Sequence, residues 1–294
     1  MFTFIAVVIR ILVNPLSNVF QKRICNNGQS ALFVNFLTYF ALSVIVIPLA
    51  FRISWTAFPF AFWVDSLLIG FFGALSNCFL VKAIRSGELS VLGPINAYKS
   101  VIGVIFGIIF LAEIPSLIGL FGIVLIVGGS YYVIDDGSAS GGFSWKIFWR
   151  SDLRDRIAAI ILTAIEIVFI KKTVLYSDAQ TAFIVWCMSG TVFALVFISL
   201  LERHTEFVWH KEFRQAYHQY LLYLGLIGSV GLTQAMAVYV LANMYVGYAL
   251  ALFQLSTVLS VFYGWFFFNE TKIYRKLIAA AIMIVGSMLI ILWS

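Results

Sequence analysis

Three ionisable residues, Arg10, Lys99 and Glu166, lie deep inside long apolar runs of this 294-residue chain. An ionisable group at bilayer depth costs about 3 kcal/mol on insertion scales and is kept where it faces a protein interior or a wet cavity. Arg10 lies eight residues into its run, Lys99 nine and Glu166 ten. At a rise of about 1.5 Å per residue, each stands roughly 12–15 Å from a membrane face, near the midplane. Arg10 can grip a carboxylate bidentately and stays charged. Lys99 and Glu166 can change protonation, which makes Glu166 the candidate for proton coupling. Two cations against one carboxylate leave a net charge of +1 at the midplane. A structural ion pair of Glu166 with Lys99 or Arg10 is one reading. A site for a substrate carboxylate or phosphate is the other, because either pair leaves a cation to be neutralised.

The polar neighbours follow helical spacing. Asn14, Ser17, Asn18 and Gln21 follow Arg10 at offsets of 4, 7, 8 and 11, one face of a helix. Asn96, Lys99, Ser100, Gly103 and Gly107 make a similar stripe, as do Thr163, Glu166 and Thr173. Ser66, Gly70, Gly73 and Asn77, then Thr233 and Asn243, then Gln254 and Thr257, add polar positions to three further runs. Stripes of this kind converge on one interior cavity. The expected substrate-binding set is Arg10, Asn14, Asn18, Asn77, Asn96, Lys99, Glu166 and Gln254. Asn14-Pro15 and Gly93-Pro94 interrupt two of the helices near these charges, and a carbonyl freed by proline must face protein or a cavity.

The elements that carry these residues are read from composition. The chain is 62% hydrophobic and 11% charged, with 29 Phe, against roughly 45–50% and 25% in soluble domains. Its mean hydropathy is +1.01. These values exclude a cytosolic globular enzyme, a disordered tail and a nucleic-acid binder. Ten apolar runs are each long enough to cross a bilayer: 2–22, 31–51, 61–84, 90–111, 115–134, 156–176, 180–201, 219–243, 246–268 and 273–293. They are continuous rather than alternating, so they are helices and not barrel strands. The first run lacks a basic leader and a small-residue cleavage site, so it reads as a span rather than a removed signal. All three His fall in the loop 202–218, and Cys25, Cys78 and Cys187 have no metal spacing, so no metal or cofactor is expected.

The chain repeats itself. A shift of 157 places lays residues 74–130 on 231–287 without a gap, putting Glu113 on Glu270, Gly107 on Gly264, Gly129 on Gly286 and Ser130 on Ser287. A shift of 149 lays Val19-Phe20-Gln21-Lys22 on Val168-Phe169-Ile170-Lys171. Each repeat holds five spans, and two odd halves in one chain must lie in opposite orientations. The expectation is an all-α membrane protein of ten transmembrane helices, two inverted five-helix repeats around a central cavity. The first repeat covers 1–134, the connecting loop 135–155 and the second repeat 156–294. Inverted repeats hold their site near the midplane, at the repeat interface, with alternating access by rocking of one half on the other.

A Lys closing spans one and six (Lys22, Lys171), a Glu closing spans four and nine (Glu113, Glu270) and the segment SNVFQKR (17–23) resemble the drug/metabolite transporter superfamily, its EamA-like branch above all. Members often carry Trp-Gly before the polar segment of the first span, where this chain has Val13-Asn14-Pro15. The resemblance implies export of a metabolite such as an amino acid or organic anion from a multi-pass position in the cell (inner or plasma) membrane. It also implies both termini inside. By contrast, basic residues crowd the loops after spans five, seven and nine, while those after two, four and eight hold only Arg52, which by the positive-inside rule puts the termini outside.

Translocation of a lipid or lipid-linked sugar is the alternative, since Arg10 and Lys99 could hold a phosphate. An intramembrane enzyme is a weaker one: no Ser–His pair or paired Asp lies at depth, and no phosphate-binding glycine loop is present. The expected partners are a small-molecule substrate and membrane lipids, without nucleic acid, the protein acting as a monomer. Lys22, Lys171, Glu113 and Glu270, at span ends, are gate or loop anchors rather than parts of the binding site.

Overall fold

At bilayer depth no water satisfies the backbone, so each apolar run satisfies its own N–H and C=O groups by coiling into a helix. The computed structural model describes residues 2–102, 116–134, 149–201, 207–244 and 246–293, and no strand occurs among them. Gly103, Gly107 and Glu113 lie outside the described residues. The helices are α1 (Phe2–Asn26), α2 (Ala31–Ala50), α3 (Phe60–Ser86), α4 (Leu89–Leu92), α5 (Leu117–Ile134) and α6 (Ser151–Tyr176). They continue with α7 (Ala179–Leu201), α8 (Trp209–His218), α9 (Tyr220–Asn243), α10 (Val246–Gln254), α11 (Ser256–Phe268) and α12 (Ile273–Trp293).

Six of these, α1, α2, α3, α7, α9 and α12, are long and apolar enough to cross a membrane. Helix α6 has 26 residues, enough length to cross, but carries Arg154, Asp155, Arg156, Glu166, Lys171 and Lys172. Large apolar side chains such as Phe4, Phe51, Phe60 and Leu117 point outward and are more than 70% exposed. In a chain of this composition, that surface belongs against lipid. The protein is a helical, multi-pass membrane protein.

Helix α3 packs along α6, α1 along α9, α2 along α7 and α5 along α12. The last contact is close because Gly122 and Gly286 face each other: a Cβ on either would come within 2.7 Å of the other's carbonyl oxygen. Phe33, Tyr39 and Ile69 anchor the larger apolar core, and Ile84, Leu92, Leu153 and Ile160 a second one. Helix α7 starts where it does because Asp178 accepts from Thr181 N at 3.0 Å and from its hydroxyl at 2.8 Å, an N-cap arrangement.

Two local departures from the sequence reading concern helices. The segment 202–218, read as a loop, contains the amphipathic helix α8. Its Trp209 and Phe213 sit edge-on to Phe33, and its buried Glu212 accepts from Gln29 Nε2 at 2.6 Å and from Ser30 N at 3.3 Å, so contacts with the start of α2 hold a polar segment in helical form. The run 246–268, read as one span, is divided at Leu255 into α10 and α11. The run 90–111 is broken too, by a 3-10 turn over Pro94–Ala97 before helical structure resumes at Tyr98.

Candidate functional site

The polar stripes meet at one cavity of about 130 Å³. Arg10, Asn14 and Asn18 of α1 line it, with Ser76 and Asn77 of α3, Asn96 and Lys99 of the broken fourth run, and Arg156, Thr163 and Glu166 of α6. Trp186 of α7, Thr233 and Gln234 of α9 and Ser256, Thr257 and Ser260 of α11 complete the wall. Seven of the eight residues expected at a site from the sequence therefore face a single space. Gln254 stands behind it, its side-chain amide donating to the Asn96 carbonyl at 3.3 Å.

The break in the fourth run positions much of this wall. Asn96 N donates to Gly93 O at 3.0 Å, a 3-10 bond, instead of to Leu92 O as an unbroken helix would require. The released Leu92 carbonyl accepts from Arg156 Nε at 3.0 Å, and Arg156 Nη2 donates to Asn96 Oδ1 at 3.2 Å. Arg156 was missed in the sequence because it stands at the edge of its run, where charges are ordinary. A signal was present: Arg156, Thr163 and Glu166 share a helical face at offsets of 7 and 10.

The cavity charges form no direct ion pair: among the described residues, no salt bridge joins Glu166 to Arg10, Lys99 or Arg156. Instead, Glu166 Oε1 accepts from Trp186 Nε1 at 2.8 Å, above Gly73, where a Cβ would come within 2.6 Å of that oxygen. The Arg10 guanidinium lies 3.4 Å over the Phe253 ring centroid, a cation–π contact rather than an ion pair. Arg10 Nε, Thr233 Oγ1 and Thr257 Oγ1 are buried without a hydrogen-bond partner among the described residues. Three cations, one carboxylate and unsatisfied polar atoms around one space are suited to holding a small polar anion.

A second polar cluster ties helix ends together beyond the cavity. Lys22, at the end of α1, donates to Gly87 O at 2.8 Å and to Glu270 Oε1 at 3.0 Å. Glu270 also accepts from the amides of Leu89 and Ser90, both at 2.8 Å, and from the Ser90 hydroxyl. Lys276 reaches Ser90 Oγ at 2.7 Å and Glu88. Burial pushes the Glu270 carboxyl up, but the Ser90 hydrogen bonds and the Lys22 ammonium outweigh it and hold the group below its ordinary value of 4.5. Elsewhere, Lys171 donates to Leu241 O at 2.5 Å and Met244 O at 3.4 Å.

A helical membrane protein built around a polar cavity rich in cations has the architecture of a solute carrier. The comparisons narrow that class. Residues 2–134 and 156–292 match the EamA-like transporter family, and the chain belongs to that family. Nineteen chains of solved structures resemble it. One of them, described only as the crystal structure of a protein, covers 97% of this chain and 95% of its own. Its TM-score is 0.59 at 16% identity, a likeness of fold. No curated protein matches the chain.

Proposed function

We propose that this protein is a secondary transporter that exports a small anionic or zwitterionic metabolite, such as an amino acid or organic acid, across the cell membrane. The observation that carries this reading is the set of three cations, Arg10, Lys99 and Arg156, around one cavity where Glu166 is the only carboxylate among the described residues. Binding energy lies in the cations that have no salt-bridge partner among the described residues, since charge-assisted hydrogen bonds are the strong ones. Glu166, beside the cavity and held by a single indole donor, is the proton-coupling residue.

Transport proceeds by alternating access between two inverted five-helix repeats, 1–134 and 156–294, in a ten-helix monomer. The packing supports this arrangement. Exchanging the repeats turns the α3–α6 pair into the α9–α1 pair and returns the α2–α7 and α5–α12 pairs to themselves. The two lysines support it as well. Lys22 and Lys171 correspond at the 149-place shift, and the carbonyls they bind, Gly87 and Met244, correspond at the 157-place shift. The Lys22–Glu270 cluster is then a closed gate at one end of the cavity.

Flux measured with the purified protein in vesicles tests the site. Arg10→Ala and Lys99→Ala are expected to abolish transport while both variants remain folded in detergent. Wild-type flux by both would remove these residues from the binding site.

A further inference from the structure

The charge count of the cavity goes beyond a single anion. With Arg10, Lys99 and Arg156 against Glu166, the wall carries two positive charges more than negative ones. A monoanion would leave one positive charge in the cavity without a counter-charge. Arg156 is the decisive member, for its structural duty does not need a charge. It satisfies Leu92 O and Asn96 Oδ1 with two of the five donors that a guanidinium carries. Two neutral donors, which a side-chain amide has, would suffice for that. The side chain is nonetheless a cation, only 9% exposed, with no carboxylate partner among the described residues. Its remaining donors are available at the cavity wall that it lines.

We propose that Arg156 forms a second anion subsite in this cavity and that the transported molecule is a small dianion. The inference rests on the anion-carrier reading and narrows it. Volume sets the scale: an apolar cavity of about 150 Å³ admits benzene, so a space of about 130 Å³ takes a molecule of about that size. A short-chain dicarboxylate and a small phosphate ester are both of that order. Their shared chemistry is two negative charges on a short frame. One group is met by Arg10 and Lys99. The other is met by Arg156, whose planar fork is already fixed by Leu92 and Asn96.

Matched ligands test this on the full-length purified protein. Succinate and butyrate have the same carbon count and differ in one carboxylate, and inorganic phosphate separates the two sources of double charge. Apparent affinities are read from ligand-induced shifts in thermal unfolding at neutral pH. Wild type is expected to bind succinate or phosphate at least tenfold more tightly than butyrate, about 1.4 kcal/mol. Whichever dianion binds more tightly identifies the source. Arg156→Gln, which keeps a donor at the position that serves Leu92 O but removes the charge, is expected to bring the ratio close to one. Arg156→Lys is expected to restore part of it.

Butyrate binding as tightly as both dianions in wild type would overturn the second subsite and leave the anion reading standing. A full dianion preference surviving in folded Arg156→Gln would overturn the role of Arg156. Binding of cationic or neutral ligands alone would overturn both readings. The wild-type ratio decides the matter even if Arg156→Gln fails to fold.

Discussion

Glu270→Gln is a sharp perturbation of the interhelical cluster, because the wild-type carboxylate accepts from Lys22, from the Leu89 and Ser90 amides and from the Ser90 hydroxyl. Glutamine replaces one of the two oxygens with a group that only donates, so either orientation sets a donor against donors. The pair is buried, with side-chain exposures of 11% for Lys22 and 5% for Glu270. Removing one partner of such a pair costs about 3–5 kcal/mol. At ~2 °C per kcal/mol for a chain of this length, the thermal midpoint falls by roughly 6–10 °C.

Combining it with Lys22→Met spares the protein an unpaired ammonium, so the double variant loses less than the sum of the singles, with a coupling of about 1–3 kcal/mol. The pH dependence has a definite sign. A carboxyl held below 4.5 in the folded protein contributes its full stability above that value and loses it as pH falls through the lowered one. The gap between wild type and Glu270→Gln is therefore constant near neutrality and closes on acidification. Unfolding in detergent, followed by intrinsic fluorescence from pH 7 downward, reads all of this. A midpoint shift under about 2 °C at pH 7 would refute the reasoning, as would a gap that closes toward alkaline pH.

Other positions give equally direct outcomes. Glu166→Gln is expected to remove the dependence of flux on an imposed pH gradient across vesicles; a gradient dependence that persists would reassign proton coupling to another group. Gly286→Val places side-chain atoms against the Gly122 backbone, where even a Cβ comes within 2.7 Å of its carbonyl oxygen. The expected loss is about 1–3 kcal/mol, seen as a lower unfolding midpoint. An unchanged midpoint would contradict the close α5–α12 contact.

The sequence made the deep charges legible and left their partners hidden, for a physical reason. Arg10, Lys99 and Glu166 stood out because burying a charge in an apolar run is costly, and the 3.6-residue period showed which polar neighbours share their face. Arg156 obeys the same period but stands five residues from the start of its helix, where a charge costs little and attracts no notice. The Gly93-Pro94 break was visible. That it frees Leu92 O for Arg156, 64 residues away, was not, because tertiary contact decides which donor fills a released carbonyl. Lys22 and Glu270 were marked as span-end anchors, yet nothing local joins residues 248 positions apart. Lys22 and Lys171, which fall on each other at the 149-place shift, each donate to a backbone carbonyl. Helix α8 escaped notice because its ties are tertiary: Trp209 and Phe213 meet Phe33, and Glu212 accepts from Gln29 and Ser30, 183 and 182 positions away in the chain.

The central claim, that this cavity carries small anions, is tested most directly by counterflow. Vesicles containing the protein are preloaded with a mixture of unlabelled metabolites, and accumulation of labelled anionic, zwitterionic, cationic and neutral solutes is followed. Uptake of labelled anions or zwitterions, and none in protein-free vesicles, is the result that the three unpaired cations predict. Accumulation confined to cationic or neutral solutes would contradict the account.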